Sequence, residues 1–291
     1  MEYIKKRAED AAKEKASSSK NISKTIFDQH RWHPVHFRGK ETLSEDTRRY
    51  TFALPPGVKK LGLGTCQHLQ LGFHFNDRLV IRPYTPTRPV FESEEDGTFD
   101  LVVKTYFPDK SQPGGAMSNI LDCLRPDEEI EVKGPSGDIN YFGQGKFKIG
   151  NTDYYFRNIS LVLGGSGITP GYQLISRILR AKDRNEDEDK TGLKVIDANK
   201  TENDILLRNE LDQLAKDNPD QFTITYILSH PGDNWKGEKG HVSKEVLQKY
   251  AFGPDNESVA LLCGPPTMIR MAVLPAFQEM GYKEGENLFG F

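Results

Sequence analysis

Hydrophobic positions change their period partway along the chain. In the first half they alternate: Gln67-His68-Leu69-Gln70-Leu71-Gly72-Phe73 sets apolar residues at every second position, as a half-buried strand requires. Arg49-Tyr50-Thr51-Phe52-Ala53-Leu54, the stretches 79–85 and 99–107, and Ile130-Glu131-Val132 read as further strands. Turn formers separate them, such as Pro55-Pro56-Gly57 and Lys133-Gly134-Pro135-Ser136-Gly137. Short strands at this spacing predict an antiparallel barrel or sandwich. One helix interrupts them at 118–124, after Gly114-Gly115 and before Pro126.

From Asn158 onward strands and helices alternate. Aliphatic runs at 159–163, 193–198, 222–228 and 259–263 predict buried strands. Apolar residues at helical spacing fill 170–181, 205–215, 244–250 and 268–280. That alternation predicts a parallel, doubly wound α/β sheet with helices on both faces. The reading therefore divides the chain into a β-barrel domain at 27–155 and an α/β domain at 156–291. Residues 1–26 precede both. Their Lys, Glu, Ala and Ser, ending in Ser17-Ser18-Ser19, predict a flexible tether.

The change of period centres on one loop. Ile159-Ser160-Leu161-Val162-Leu163 runs into Gly164-Gly165-Ser166-Gly167-Ile168-Thr169-Pro170 and then into Leu174, Ile175, Ile178 and Leu179 at helical spacing. Three glycines in four positions let the backbone turn sharply and approach a ligand. Thr169 and Pro170 suit an N-cap followed by the first helical position. A strand that feeds a helix this way presents free N–H groups and a positive dipole end, a setting for phosphate. An α/β turn with no ligand has the same outline.

Composition narrows the classes. The 291 residues suggest about two domains. With 39 basic against 42 acidic residues, bulk nucleic-acid binding is not expected. The apolar runs are strand-sized, so no membrane span is predicted, and no apolar signal segment stands near the start. Cys66, Cys123 and Cys263 are scattered and outside metal-ligand spacing, which fits a reducing, cytoplasmic location and no metal site. No Gly-x-Ser-x-Gly elbow supports a hydrolase.

Four motifs stand in order along this frame: Arg82-Pro83-Tyr84-Thr85, Gly114-Gly115-Ala116-Met117-Ser118, the glycine loop from Gly164, and Cys263-Gly264-Pro265-Pro266. Together they resemble the cytochrome b5 reductase family, within the ferredoxin–NADP reductase-like group. Reductase modules of nitrate reductases share them. Lesser matches are Gln67-His68, Val103-Lys104-Thr105-Tyr106 and Thr201-Glu202-Asn203-Asp204-Ile205-Leu206-Leu207.

The resemblance implies FAD on the barrel and NADH or NADPH on the α/β domain. Arg82 offers a bidentate fork to the FAD pyrophosphate. Tyr84 is implied to lie on the flavin ring, beside Pro83, with Thr85 at the ring edge. Since Arg82 and Tyr84 share one strand face, Thr85 would need its backbone or a twist to reach the ring. Gly114, Gly115, Ala116, Met117 and Ser118 are implied to meet the second phosphate through amides and the Ser118 hydroxyl. The family usually has Lys where Ala116 stands. Val103 belongs to the strand implied beside the flavin. Lys104 is implied to face the nicotinamide nucleotide, and Tyr106 the FAD. His68 matches a family histidine on a proton path.

Gly165, Ser166 and Thr169 are implied to touch the nucleotide, as are Cys263, Gly264 and Pro265, with Cys263 positioning the nicotinamide. Phe291 is the terminal aromatic near the crevice, and Gly290, where the family has Val, is expected to loosen it. Ser229 stands where NADH-preferring members carry an acid, and His230 where NADPH-using ones carry Arg. The expectation is a chain that accepts both nucleotides.

The implied activity is hydride transfer from NAD(P)H to FAD, then single electrons to a cytochrome b5 or a fused b5-like haem domain. A reductase module of a nitrate reductase-like enzyme is one alternative. A nucleotide-binding domain without catalysis is another, as is a flavin oxidase or oxygenase partner.

Overall fold

The computed structural model describes residues 31–75, 78–108, 110, 113–181 and 188–291. The predicted tether at 1–26 lies outside the described residues.

The alternating half forms β1 (His33–Thr42), β2 (Thr47–Ala53), β3 (His68–Phe75), β4 (Arg78–Tyr84), β5 (Thr98–Lys104) and β6 (Glu129–Ser136), with α1 (Ala116–Cys123) before β6. They make one six-stranded antiparallel sheet in the order β4-β3-β6-β1-β2-β5. The chain just beyond β4 returns to the opposite edge: Thr87 N–H donates to Asp100 O at 2.9 Å, and Asp100 N–H to Arg88 O at 2.9 Å. That contact curls the sheet into a barrel. Val35, Phe37, Phe52, Leu69, Leu71, Phe99 and Leu101 fill it, and Met117 and Leu121 of α1 join that core. β1 was not anticipated, since only Val35 and Phe37 of its ten residues point inward.

A three-stranded antiparallel sheet follows: β7 (Ile139–Gly143), β8 (Lys146–Ile149) and β9 (Thr152–Tyr155). Tyr141-Phe142-Gly143-Gln144-Gly145 reads in sequence as the approach to a domain boundary. In the structure it is a hairpin turn in which Gly143, Gln144 and Gly145 all take positive φ.

The second half is a parallel sheet ordered β13-β12-β11-β10-β14-β15. Its strands are β10 (Asn158–Gly164), β11 (Gly192–Asn199), β12 (Phe222–Leu228), β13 (Glu238–Lys239), β14 (Ser258–Cys263) and β15 (Leu288–Gly290). Its helices are α2 (Ile168–Leu179), α3 (Arg208–Asp217) and α4 (Lys244–Tyr250). A final rod comprises α5 (Pro266–Met268), a π-helical turn (Ile269–Val273) and α6 (Leu274–Met280). Alternate side chains of the strands bury into cores on opposite faces. One holds Val162, Ile196, Leu247, Leu262 and Phe277. The other holds Leu161, Leu163, Leu174, Ile178 and Val195, and it continues into Cys66 and Val102 of the barrel and Tyr141, Phe147 and Phe156 around the small sheet. The barrel and the parallel sheet therefore share packing.

Candidate active site

The ends of β10 and β14 lie side by side, with Leu163 paired to Cys263. Their following loops press together. A Cβ on Gly167 would stand 2.4 Å from the Cys263 carbonyl oxygen, and one on Gly264 2.8 Å from Met268 Cε. Gly165 is the opposite case: its φ is +53°, and a Cβ there would meet nothing within 4 Å. The loop is thus closed on the sheet side and open toward the crevice, as close approach by a ligand requires.

Helix α2 begins earlier than its residue types suggest. Gly165–Gly167 form a 3₁₀ turn, Gly167 is the N-cap, and Ile168 starts the helix. Thr169 lies within the first turn, where its Oγ1 donates to Ser166 O at 3.2 Å. The tight turn advances the helix start by consuming the glycines, so Thr169 shapes the loop instead of capping the helix.

One turn further, the buried Gln173 joins the two halves. Its Oε1 accepts from Cys66 N–H at 2.6 Å, and its Nε2 donates to Pro86 O at 3.4 Å. Pro86 directly follows Arg82-Pro83-Tyr84-Thr85, so Gln173 sets the glycine loop's helix in register with that motif. Ion pairs also cross between the halves: Arg180 to Glu94 at 2.6 Å, Arg49 to Glu210 at 3.2 Å, and Lys104, held by Asp46 of the barrel at 2.9 Å, to Asp204. Sequence reading missed Gln173. Its one signal is an amide among the apolar positions of α2.

On the barrel side, Arg82 and Pro83 are exposed and Tyr84 is half-buried on the edge strand β4. The Arg82 Nη1 donates to its neighbour's carbonyl, Ile81 O, at 2.7 Å. Burial drives the Tyr84 phenol up, so it stays neutral. Thr85 lies just past the strand and is buried. Helix α1 packs beside β4. Its N-cap, Gly115, has no side chain to cap with, so among the described residues the first amides of α1 lack an N-cap side-chain partner. A Cβ on Gly114 would stand 2.6 Å from Tyr106 O. An exposed guanidinium, an uncapped helix start and an exposed Tyr106 on one side of the barrel fit the diphosphate and ring of a flavin dinucleotide.

Not every expected side chain is free to meet a ligand. Met117 and Val103 are core residues of the barrel, so only their backbone faces outward. The Ser118 hydroxyl is engaged within the protein: it donates to Gly115 O at 3.2 Å and accepts from Tyr106 N–H at 3.3 Å. Ala116 is exposed at the helix start. Lys104 does not offer a free ammonium to the nucleotide, because Asp46 and Asp204 hold it. Gly290 does not loosen the terminus. β15 pairs with β14, Leu262 opposite Gly290, and Phe291 N–H donates to Leu262 O at 3.0 Å.

Cys263 is half-buried at the crevice, and burial pushes its thiol up to about 11. A thiol so seldom ionised suits packing against a ligand and not nucleophilic attack. His68 opens β3 against the backbone of Gly137, and burial lowers its pKa, which favours the neutral ring. Pro265 is exposed beside Gly264, and Ser166 is exposed at the loop tip. Ser229 and His230 lie beyond β12, bonded to each other, Oγ to Nδ1 at 2.9 Å. Their amides donate to Asn199 O and Lys200 O, which continues the β11–β12 pairing past the sheet.

Comparison with known proteins agrees with this geometry. An oxidoreductase FAD-binding domain model matches residues 34–141, and an oxidoreductase NAD-binding domain model matches 161–273. NADH-cytochrome b5 reductase 1 of Bos taurus is 37% identical over 267 residues, covering 89% of this chain and 85% of that protein. Nitrate reductase [NADH] 1 of Oryza sativa subsp. japonica is 38% identical over 264 residues, 89% of this chain but 28% of its own length. The chain thus spans about a quarter of such nitrate reductases. The crystal structure of the cytochrome b5 reductase domain of Ulva prolifera nitrate reductase superposes with a TM-score of 0.85 at 32% identity, over 92% of this chain and all of that one. A barrel and parallel sheet meeting at a glycine loop, two matching domain models and a relative aligned nearly end to end lead to one conclusion: this chain belongs to the cytochrome b5 reductase family of FAD- and NAD-binding oxidoreductases.

Proposed function

We propose that the chain takes electrons from NADH or NADPH through FAD and delivers them singly to a cytochrome b5 or b5-like haem domain, on a separate protein or on the same polypeptide. The observation that carries this reading is the Gln173 tie: it fixes the helix that follows the glycine loop, whose strand ends beside Cys263, against Pro86, two residues beyond β4. FAD, when bound, supplies the chemistry: it accepts an electron pair from a nicotinamide and releases electrons one at a time.

The protein's part is binding and orientation. Residues 27–155 form the FAD-binding domain and 156–291 the nucleotide-binding domain in this reading. Arg82 and the amides at Gly114, Gly115 and Ala116 hold phosphate, while Tyr84, Thr85 and Tyr106 flank the ring. The amides of Gly165 and Ser166, with Thr169, Gly264, Pro265 and Phe291, shape the nicotinamide site, and Cys263 positions the ring. His68 is neutral and partly buried, so it suits a proton relay better than a charge. Ser229 and His230 present no carboxylate, so the loop after β12 does not itself bar NADPH beside NADH.

No helix among the described residues is long and apolar enough to cross a membrane. With three unpaired cysteines, a cytoplasmic location fits. The test is purification with FAD, followed by reduction of ferricyanide and of cytochrome b5 with each nucleotide. A yellow protein that reduces both acceptors is expected. A protein that stays colourless after FAD addition would leave the non-catalytic alternative.

A further inference from the structure

The far end of the crevice carries a side-chain cluster that the electron-transfer reading does not use. The connection after β11 and the connection after β12 run beside each other, since Ser229 N–H donates to Asn199 O at 3.1 Å and His230 N–H to Lys200 O at 2.7 Å. They then diverge around the ends of the two strands. On one side, Glu202 begins a 3₁₀ turn that leads to Arg208, the first residue of α3. On the other, the loop beyond His230 carries Trp235. The indole is fixed: Nε1 donates to Glu238 O at 2.9 Å, and the ring lies so close to Gly237 that a Cβ there would stand 2.6 Å from it.

Arg208 spans the gap between these walls. Its guanidinium is 5.6 Å from the Trp235 ring centroid and 5.7 Å from that of Tyr226 on β12, within reach of cation–π attraction at both. Two carboxylates meet it. Glu202 accepts a hydrogen bond at 2.5 Å, and Asp212, one turn along α3, stands at 3.6 Å. Its one cation thus faces two anions. Glu202 is the more exposed of the two, while Asp212 is also held by the Tyr226 hydroxyl at 2.8 Å.

We infer that this stack is the wall for the adenosine end of the nucleotide, and that Glu202, by occupying Arg208, is the carboxylate that disfavours a 2′-phosphate. The inference rests on the reading of the α/β domain as the NAD(P)H site. It places the discriminating acid on the β11 side of the crevice, across from Ser229, where the acid expected after β12 is missing. Glu202 repels a phosphate directly and withholds the nearest planar, bidentate phosphate partner, so attraction and repulsion act through one ion pair. Removing its charge leaves Arg208 with Asp212 alone and frees guanidinium N–H groups for a phosphate.

The test uses the FAD-loaded protein and its Glu202→Gln and Glu202→Gln/Arg208→Met variants. Binding of AMP and of 2′-phospho-AMP is measured by calorimetry, and kcat/KM with NADH and NADPH alongside. Glu202→Gln is expected to tighten 2′-phospho-AMP and raise kcat/KM for NADPH by about tenfold, with AMP and NADH within about twofold of wild type. The second substitution should abolish the gain. Equal 2′-phospho-AMP affinity in wild type and Glu202→Gln, with AMP still bound, overturns the role of Glu202. Failure of AMP and both dinucleotides to bind wild type overturns the reading of the domain itself.

Discussion

The best-defined electrostatic anomaly of the α/β domain is Asp197. It sits on β11 with no exposed surface, and burial raises its carboxyl from 3.8 to about 7, against the pull of Asn199, whose Nδ2 donates to Oδ2 at 2.9 Å. Its other oxygen, Oδ1, has no partner among the described residues. A carboxyl whose folded pKa lies above its unfolded one binds its proton more tightly when folded, so stability falls as pH rises. The loss starts near the unfolded value and levels off above the folded one. A shift of about 3 units corresponds to about 4 kcal/mol at full ionisation. Of that, about 2.5 kcal/mol develops between pH 5 and pH 8. Asp197→Asn keeps the shape and an acceptor for Asn199 but removes the titration. Any constant cost of the buried amide cancels when the two pH profiles are compared. For a chain of this size, about 1.5–2 °C in Tm accompanies each kcal/mol. The Tm difference, variant minus wild type, should therefore rise by about 4–5 °C from pH 5 to pH 8, measured by circular dichroism with FAD saturating. Parallel profiles would show that Asp197 stays charged in the fold or is never as buried as described.

Four more outcomes follow from the site. Arg82→Ala removes a charge-assisted contact worth about 1.5–3 kcal/mol per bond, so FAD should dissociate on dilution about 10–100 times more readily, read by flavin fluorescence. Cys263→Ser should keep FAD bound and slow flavin reduction by NADH in stopped flow, whereas an unchanged rate would reduce Cys263 to packing. Gln173→Leu leaves the Cys66 N–H buried without its acceptor, which costs about 1–3 kcal/mol, and should lower both Tm and the reduction rate. Ser229→Asp introduces an acid into the loop after β12, which is proposed to face the nucleotide, and should depress kcat/KM for NADPH more than for NADH. Equal effects on both nucleotides would remove this loop from donor choice.

Much of the architecture is legible because it follows from local pattern. Alternation at 67–73 and the aliphatic run at 159–163 each declare a strand, and the glycines after Leu163 declare the turn. What escaped depends on distant partners or on ambiguous local chemistry. The pairing of Lys104 with Asp204 joins residues 100 positions apart, and nothing near Lys104 reveals that its charge is taken. The small sheet at 139–155 does not read as strands in sequence, because its turn glycines with positive φ give no period and only the pairing of Tyr141 opposite Phe147 shows the hairpin. Ser118 has the right chemistry for phosphate, but the fold turns its hydroxyl back onto Gly115 and Tyr106. Cap chemistry alone put the start of α2 too late, because the 3₁₀ turn at Gly165–Gly167 was not visible in residue types.

The core that runs from Leu161 and Val195 through Phe156, Phe147 and Tyr141 to Cys66 and Val102 makes the two ligand-binding halves mechanically one object. An enzyme whose halves swing on a hinge can adapt to ligands by changing its gap. Here a swing would tear apolar packing and the Gln173 bridge, so the spacing between the glycine loop and β4 is fixed when the chain folds. Rate and donor preference are then left to side chains of the crevice, for which Cys263, Ser229 and Glu202 are the proposed ones, and the same stiffness should make the molecule melt in a single cooperative step.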